Sequence, residues 1–223
     1  MKVPPRAVPF WSAEEVEASL QGTIAHLNER RVLAYPTETV YGFGGAVDQE
    51  SVEALVRLKT RPPAKPFLIL VASSEMVTRL DLRLTGYAAQ LAARHWPGPL
   101  TLVLPGGGRS IPDRLRGPEG GVAVRWTSHP MLARLLRAYG QPLTSTSANR
   151  PGVPPATSAS EIIDQWEDAT ARGILRVLDG GTLVPSAPST VVDCTGHRPR
   201  VIRPGAISSA MLRESVPDLI GDA

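Results

Sequence analysis

Apolar positions along the chain follow two rhythms, one helical and one of short unbroken runs. Val52, Leu55 and Val56 recur on one helical face, whereas residues 67–71 are a fully apolar run. Ser12 followed by Glu14 and Glu15 is an N-cap with an acidic first turn, predicting a helix to about Arg30. A strand follows at 32–36. The Val52 stripe then predicts a helix opening near Asp48 and stopped by Pro62-Pro63, ahead of a buried central strand at 67–71. Thr85 caps an Ala-rich helix reaching Trp96, and Pro97-Gly98-Pro99 turns the chain into the strand 100–104. Trp96 is expected to pack beneath that corner.

Further along, 106–121 is a polar, Gly-rich loop and 122–125 a strand. A helix over 130–139 is closed by Gly140, and a strand at 142–146 follows it. A helical stretch at 160–171 precedes three strands at 175–178, 190–193 and 201–203, and Ser208 caps a last short helix. Strands interleaved with helices predict a three-layer α/β domain, its mixed β-sheet flanked by helices. The boundaries are an extended, Pro-rich segment at 1–11, one domain over 12–210 and a tail at 211–223.

The chain has 223 residues, of which 42% are hydrophobic, enough for one sizeable core. No apolar run approaches the roughly eighteen residues of a membrane span, and the first residues lack a signal-like stretch. A cytoplasmic protein with no membrane contact is expected. Cys194 is the only cysteine, so no intrachain disulfide can form. The net charge of +3 does not by itself announce nucleic-acid binding, although a local basic concavity is compatible with it. Of the 24 basic residues only Lys2, Lys59 and Lys65 are lysines, and two of these cluster. Such clustering is either chance or a place where a compact ammonium is wanted.

Common routes to chemistry are missing. There is no phosphate loop, no complete dinucleotide fingerprint and no nucleophile elbow, and the four histidines lack metal-ligand spacing. Cations, hydroxyls and backbone donors must carry the chemistry. Four places concentrate them. Thr37, Glu38 and Thr39 sit in a turn after a strand, either satisfying turn amides or facing a ligand. Lys59, Arg61 and Lys65 stand at a helix end, complementing its dipole or gripping a polyphosphate. Residues Thr144, Ser145, Thr146 and Ser147 place four hydroxyls before Asn149, as a turn or a ligand wall. Arg125 ends a strand, where its fork suits a carboxylate. Ser189-Thr190 and Arg203-Pro204-Gly205 are bland in isolation.

In order, Pro36-Thr37-Glu38-Thr39-Val40-Tyr41-Gly42, Lys59-Thr60-Arg61, Trp96-Pro97-Gly98-Pro99-Leu100-Thr101, Val124-Arg125, Ser147-Ala148-Asn149, Ser189-Thr190-Val191-Val192 and Arg203-Pro204-Gly205 resemble the motif series of the YrdC-like threonylcarbamoyl-AMP synthases. The resemblance spans roughly 12–210. It implies a twisted mixed sheet around a basic cavity. It also implies an enzyme making L-threonylcarbamoyladenylate from L-threonine, bicarbonate and ATP, with Mg2+ accompanying ATP and pyrophosphate released. The product would feed threonylcarbamoyl-transfer proteins that modify adenosine 37 of tRNA, and a weak tRNA or RNA contact is compatible with the basic cavity.

By motif position, Lys59, Arg61, Ser147, Asn149 and Arg203 are implied to contact ATP, with Lys59 and Arg61 carrying the catalytic field. Thr37, Arg125, Ser145 and Ser189 are implied to line the threonine site, with no metal ligand on the protein. Leu70 stands where many members have histidine, Thr144-Ser145-Thr146 is more polar than usual, and Pro188 replaces an acidic residue or glycine. The extra C-terminal domain of longer members is not expected. An RNA-binding module and a carbamoyltransferase-type domain are the alternatives, the first weakened by an aromatic content of only 5% without a stacking motif.

Overall fold

The computed structural model describes residues 7–60, 66–184 and 186–221. Among these, β1 (Val8–Pro9), α1 (Ala13–Asn28), β2 (Val32–Tyr35), β3 (Gly42–Gly44) and α2 (Gln49–Lys59) come first. Next are β4 (Leu68–Val71), α3 (Ser74–Arg79), α4 (Gly86–His95), β5 (Leu100–Leu104), β6 (Val122–Trp126), α5 (Pro130–Tyr139) and β7 (Leu143–Ser147). The chain continues with α6 (Ala159–Gln165), α7 (Glu167–Ala171), β8 (Leu175–Asp179), β9 (Thr190–Asp193), β10 (Arg200–Arg203) and α8 (Ser209–Ser215). The strands form one sheet in the order β1-β8-β2-β3-β7-β4-β6-β5-β9-β10. The sheet contains parallel pairs such as β2–β8 and β4–β6 and antiparallel ones such as β3–β7 and β5–β6, so it is mixed, and helices flank it.

Local chemistry explains most boundaries. Ser12 and Glu15 close a capping box on α1, and Asp48 accepts from Ser51 N at the start of α2. That helix ends at Lys59 because Thr60 turns left-handed, with φ 48°; Pro62-Pro63, expected to stop it, lies outside the described residues. Gly140, at φ 72°, closes α5. Trp96 is half-buried, and its Nε1 donates to Leu100 O at 2.7 Å across the expected corner.

Several elements differ from the sequence reading. The helix expected over 160–171 breaks at Trp166, whose ring is buried edge-on against Phe43 at 4.8 Å. Residues after 210, expected as a tail, bury Leu212, Val216 and Leu219, and Ile220 exchanges backbone hydrogen bonds with Pro199 and Val201. Val8–Pro9 is extended as expected, and it also pairs as an edge strand with β8. The helix α3 and the three-residue β3 were not predicted.

Candidate active site

Strand β2 runs into a turn that returns as β3, and β7 pairs with β3 on its other side. The ends of these strands, with the faces of β6, β5, β9 and β10, enclose a cavity of about 910 Å3. It is lined by Thr37, Lys59, Arg125, Ser145, Ser147, Asn149, Ser189 and Arg203, so eight side chains singled out from the sequence converge there from distant stretches. Arg61, the remaining one, lies outside the described residues.

The turn after β2 is built by Thr37. Its Oγ1 donates to Val40 O at 2.7 Å and accepts from Thr39 N at 3.1 Å and Val40 N at 3.2 Å, so the hydroxyl closes the turn while sitting on the cavity wall. The turn reading of this residue holds. Gly42 admits the next strand: a Cβ there would lie 3.2 Å from Ser145 Oγ. At Gly44 a Cβ would occupy the space of the Thr144 carbonyl.

Thr144 leaves the wall of four hydroxyls expected from the sequence. Its Oγ1 donates to Gly45 O at 3.1 Å and accepts from Gly45 N at 3.0 Å, so the hydroxyl is committed to the backbone that follows β3. Ser145, Thr146 and Ser147 remain on the cavity.

Lys59, at the end of α2, is 6% exposed. Its Nζ donates to Ser147 O at 2.8 Å, to Asn149 Oδ1 at 2.8 Å and to Asn149 O, and stands 5.9 Å from the centre of the Phe43 ring. The ammonium therefore ties α2 to the corner after β7. Ser147 Oγ donates to Asn149 Oδ1 at 2.6 Å, and Asn149 Nδ2 to Val153 O at 2.6 Å, which fixes that corner further.

Across the cavity, Arg203 NH2 donates to Ser189 O at 2.7 Å and Ser189 Oγ at 3.0 Å. Ser189 also shares a 2.8 Å hydrogen bond with Thr101. Burial, and secondly the charge of Arg125, lower the pKa of the Arg203 guanidinium. Two cations that feel each other across a concave wall make a place where an anion is stabilised. Gly205 lets the Arg203-Pro204-Gly205 turn press against Pro188, since a Cβ there would run into the Pro188 carbonyl.

Thr101 and Ser186 line the cavity without having been assigned to it from the sequence, and Thr39 takes a specific partner there. Thr39 accepts from Arg125 NH1 at 3.2 Å, and Thr101 supports Ser189. Both stand inside the motif series given above. Ser186 donates to Thr39 O at 2.7 Å and had no signal in its Ser/Pro-rich loop. Tyr41 holds that loop, its hydroxyl donating to Gly181 O at 2.8 Å and accepting from Gly180 N at 3.0 Å. Val103, Ala123, Val191 and Ile202 add an apolar floor beside the cations.

The Sua5/YciO/YrdC family model, which carries the description telomere recombination, matches residues 25–205. The chain belongs to this family. It is 35% identical over 197 residues to the threonylcarbamoyl-AMP synthase of Pyrococcus abyssi, covering 88% of this chain and 55% of that protein. The chain thus spans about half the length of that curated relative. It is also 39% identical over 184 residues to the threonylcarbamoyl-AMP synthase of Chromohalobacter salexigens, covering 81% of this chain and 95% of the relative. The crystal structure of Pyrococcus abyssi Sua5 complexed with L-threonine superposes with a TM-score of 0.84 at 30% identity, covering 96% of this chain and 62% of that one.

Within the Sua5/YciO/YrdC fold, Leu70 is fully buried in β4 and in register with Arg125. An apolar side chain there supplies no polar contact to the cavity. No group of three His, Cys, Asp or Glu side chains among the described residues is placed to hold a metal ion. None of the helices among them is long and apolar enough to cross a membrane.

Proposed function

We propose that this chain condenses L-threonine, bicarbonate and ATP into L-threonylcarbamoyladenylate, releasing pyrophosphate. The threonine amine attacks the bicarbonate carbon, and the new C–N bond forms as a C–O bond breaks and water leaves, giving a carbamate. One carbamate oxygen then attacks the α-phosphorus of ATP, forming the new P–O bond as the bond to pyrophosphate breaks. Both reactants are anions, so the barrier includes their repulsion and the charge that builds on the leaving group.

The observation that carries this reading is the convergence of Lys59, Arg125 and Arg203 with Thr37, Ser145 and Ser189 on one cavity. Arg125 and the neighbouring hydroxyls hold the threonine carboxylate, so that the carbamate faces the phosphate and the encounter becomes a matter of positioning. Arg203, Ser147 and Asn149 contact ATP, and Lys59 acts on the phosphates together with Arg61. ATP brings Mg2+ bound to its phosphates, which spreads their charge further. The hydroxyl wall orients both substrates without adding negative charge. The product serves the modification of adenosine 37 in tRNA through threonylcarbamoyl-transfer proteins in the cytoplasm, and the basic cavity rim gives tRNA a weak contact.

Incubation with Mg2+, ATP, bicarbonate and labelled threonine, followed by chromatography, tests the reading. A threonine-dependent adenylate with one pyrophosphate per adenylate is expected. Consumption of carbamoyl phosphate in place of threonine, or salt-sensitive RNA retention with no turnover, would overturn it.

A further inference from the structure

The Arg125 side chain is only 5% exposed, and a carboxylate that does not line the cavity lies behind it. Glu38 Oε1 stands 3.5 Å from Arg125 Nε, with the Glu38 side chain 13% exposed. Both atoms are buried without a hydrogen-bond partner. The other oxygen, Oε2, accepts from Thr127 Oγ1 at 2.7 Å, and Thr127 is fastened by its backbone N to Val71 O at 3.2 Å. On its far side the guanidinium donates from NH1 to Thr39 Oγ1 at 3.2 Å. Protein groups therefore hold the guanidinium at Nε and NH1 while Arg125 lines the cavity.

We propose that Glu38 is a positioning residue of the carboxylate clamp: its charge, anchored through Thr127, sets the plane and depth of the Arg125 guanidinium. This rests on the threonine reading given above and adds a residue to it. Burying a charge pair costs desolvation that its Coulomb attraction seldom more than offsets, so a pair kept at an imperfect 3.5 Å is poorly explained by stability alone. Orientation explains it better. A guanidinium free to swing would meet the substrate carboxylate through one nitrogen rather than two.

Glu38→Gln is the decisive variant, because its amide oxygen still accepts from Thr127 while the charge is gone. The KM for L-threonine is expected to rise about tenfold, the equivalent of one charge-assisted hydrogen bond, with the KM for ATP changed less than about twofold. In an Arg125→Gln background the same change should add nothing further, since Glu38 acts through Arg125. A purely structural tie predicts an unchanged threonine KM in Glu38→Gln, or additive losses in the pair, and either result overturns the proposal. Thermal unfolding reports whether the variant folds. Should it fail to, Thr127→Val, which frees the carboxylate but keeps its charge, is expected to raise the threonine KM about threefold; no change there also overturns the proposal. An inactive wild-type protein would instead refute the threonine reading, which keeps the two failures apart.

Discussion

Strands β5, β6 and β9 have two faces with opposite duties. On one face Val124, Leu102 and Val192 stand in register across the three strands, all fully buried, with α4 packed on β5 and α8 on α4. On the other face Arg125, Thr101 and Ser189 look into the cavity, although each is 4% exposed or less. These six residues are equally buried and differ in chemistry: the three apolar ones need no partners, whereas Arg125, Thr101 and Ser189 do, Arg125 meeting Thr39 and Thr101 meeting Ser189. A strand alternating with period two can hold stability and recognition one residue apart, and substitutions should sort accordingly.

The largest effect is expected at Lys59, where the cavity wall and the fold meet. Lys59→Ala should reduce adenylate formation by about 10²–10³-fold, the usual loss when one preorganised charge donor is removed, while far-UV circular dichroism stays unchanged. Turnover near that of the wild type would show that the ammonium serves only to tie down the corner at Asn149. On the apolar face, Leu102→Ala should cost about 2–5 kcal/mol in urea unfolding. The folded fraction should keep its threonine KM, and a rise there would mean the two faces are coupled. Ser189→Ala is milder. It removes an acceptor from Arg203 and a partner from Thr101, so a rise of about three- to tenfold in substrate KM is expected with little change in Tm. A Tm drop with unaltered kinetics would place Ser189 among the structural hydroxyls.

The same contrast explains what could be read from the sequence. Elements fixed by local signals emerged with their boundaries: β5 and β9 as runs between turns, and α5 between Pro130 and Gly140. Elements too short to show a period did not, as with α3, held by the Ser73 cap, and β3, a strand only because Gly42 and Gly44 fit against β7. The break at Trp166 is a tertiary effect, set by a ring packing on Phe43. For the cavity, ordered motifs named the cations Lys59, Arg125 and Arg203 and several of the hydroxyls beside them. Composition could not say that the Thr144 hydroxyl would be committed to the backbone after β3, since that depends on which residue of β7 meets Gly45. Nor could it find Ser186, which donates to Thr39 O from a loop without a periodic pattern.

The smallest effect is expected far from the cavity, where a titratable group is buried on the apolar side. His26, on α1, is 7% exposed with Nε2 2.8 Å from Val32 O. Burial is the main cause lowering its pKa, and the charges of Arg176 and Arg31 add to it; the contact with Val32 opposes both. Burial lowers the pKa of His129 as well. A histidine whose folded pKa lies below its unfolded value of about 6.5 binds fewer protons in the native state, so its contribution is fully present above that pH. It is lost as pH falls through the folded value. The Tm should therefore be level between about pH 8 and 7 and decline below about 6.5, and His26→Gln, neutral at every pH and able to donate to Val32 O, should flatten part of that decline. An identical slope in the variant would assign the acid sensitivity to other groups, His129 beside the Glu38 carboxylate being the next to replace.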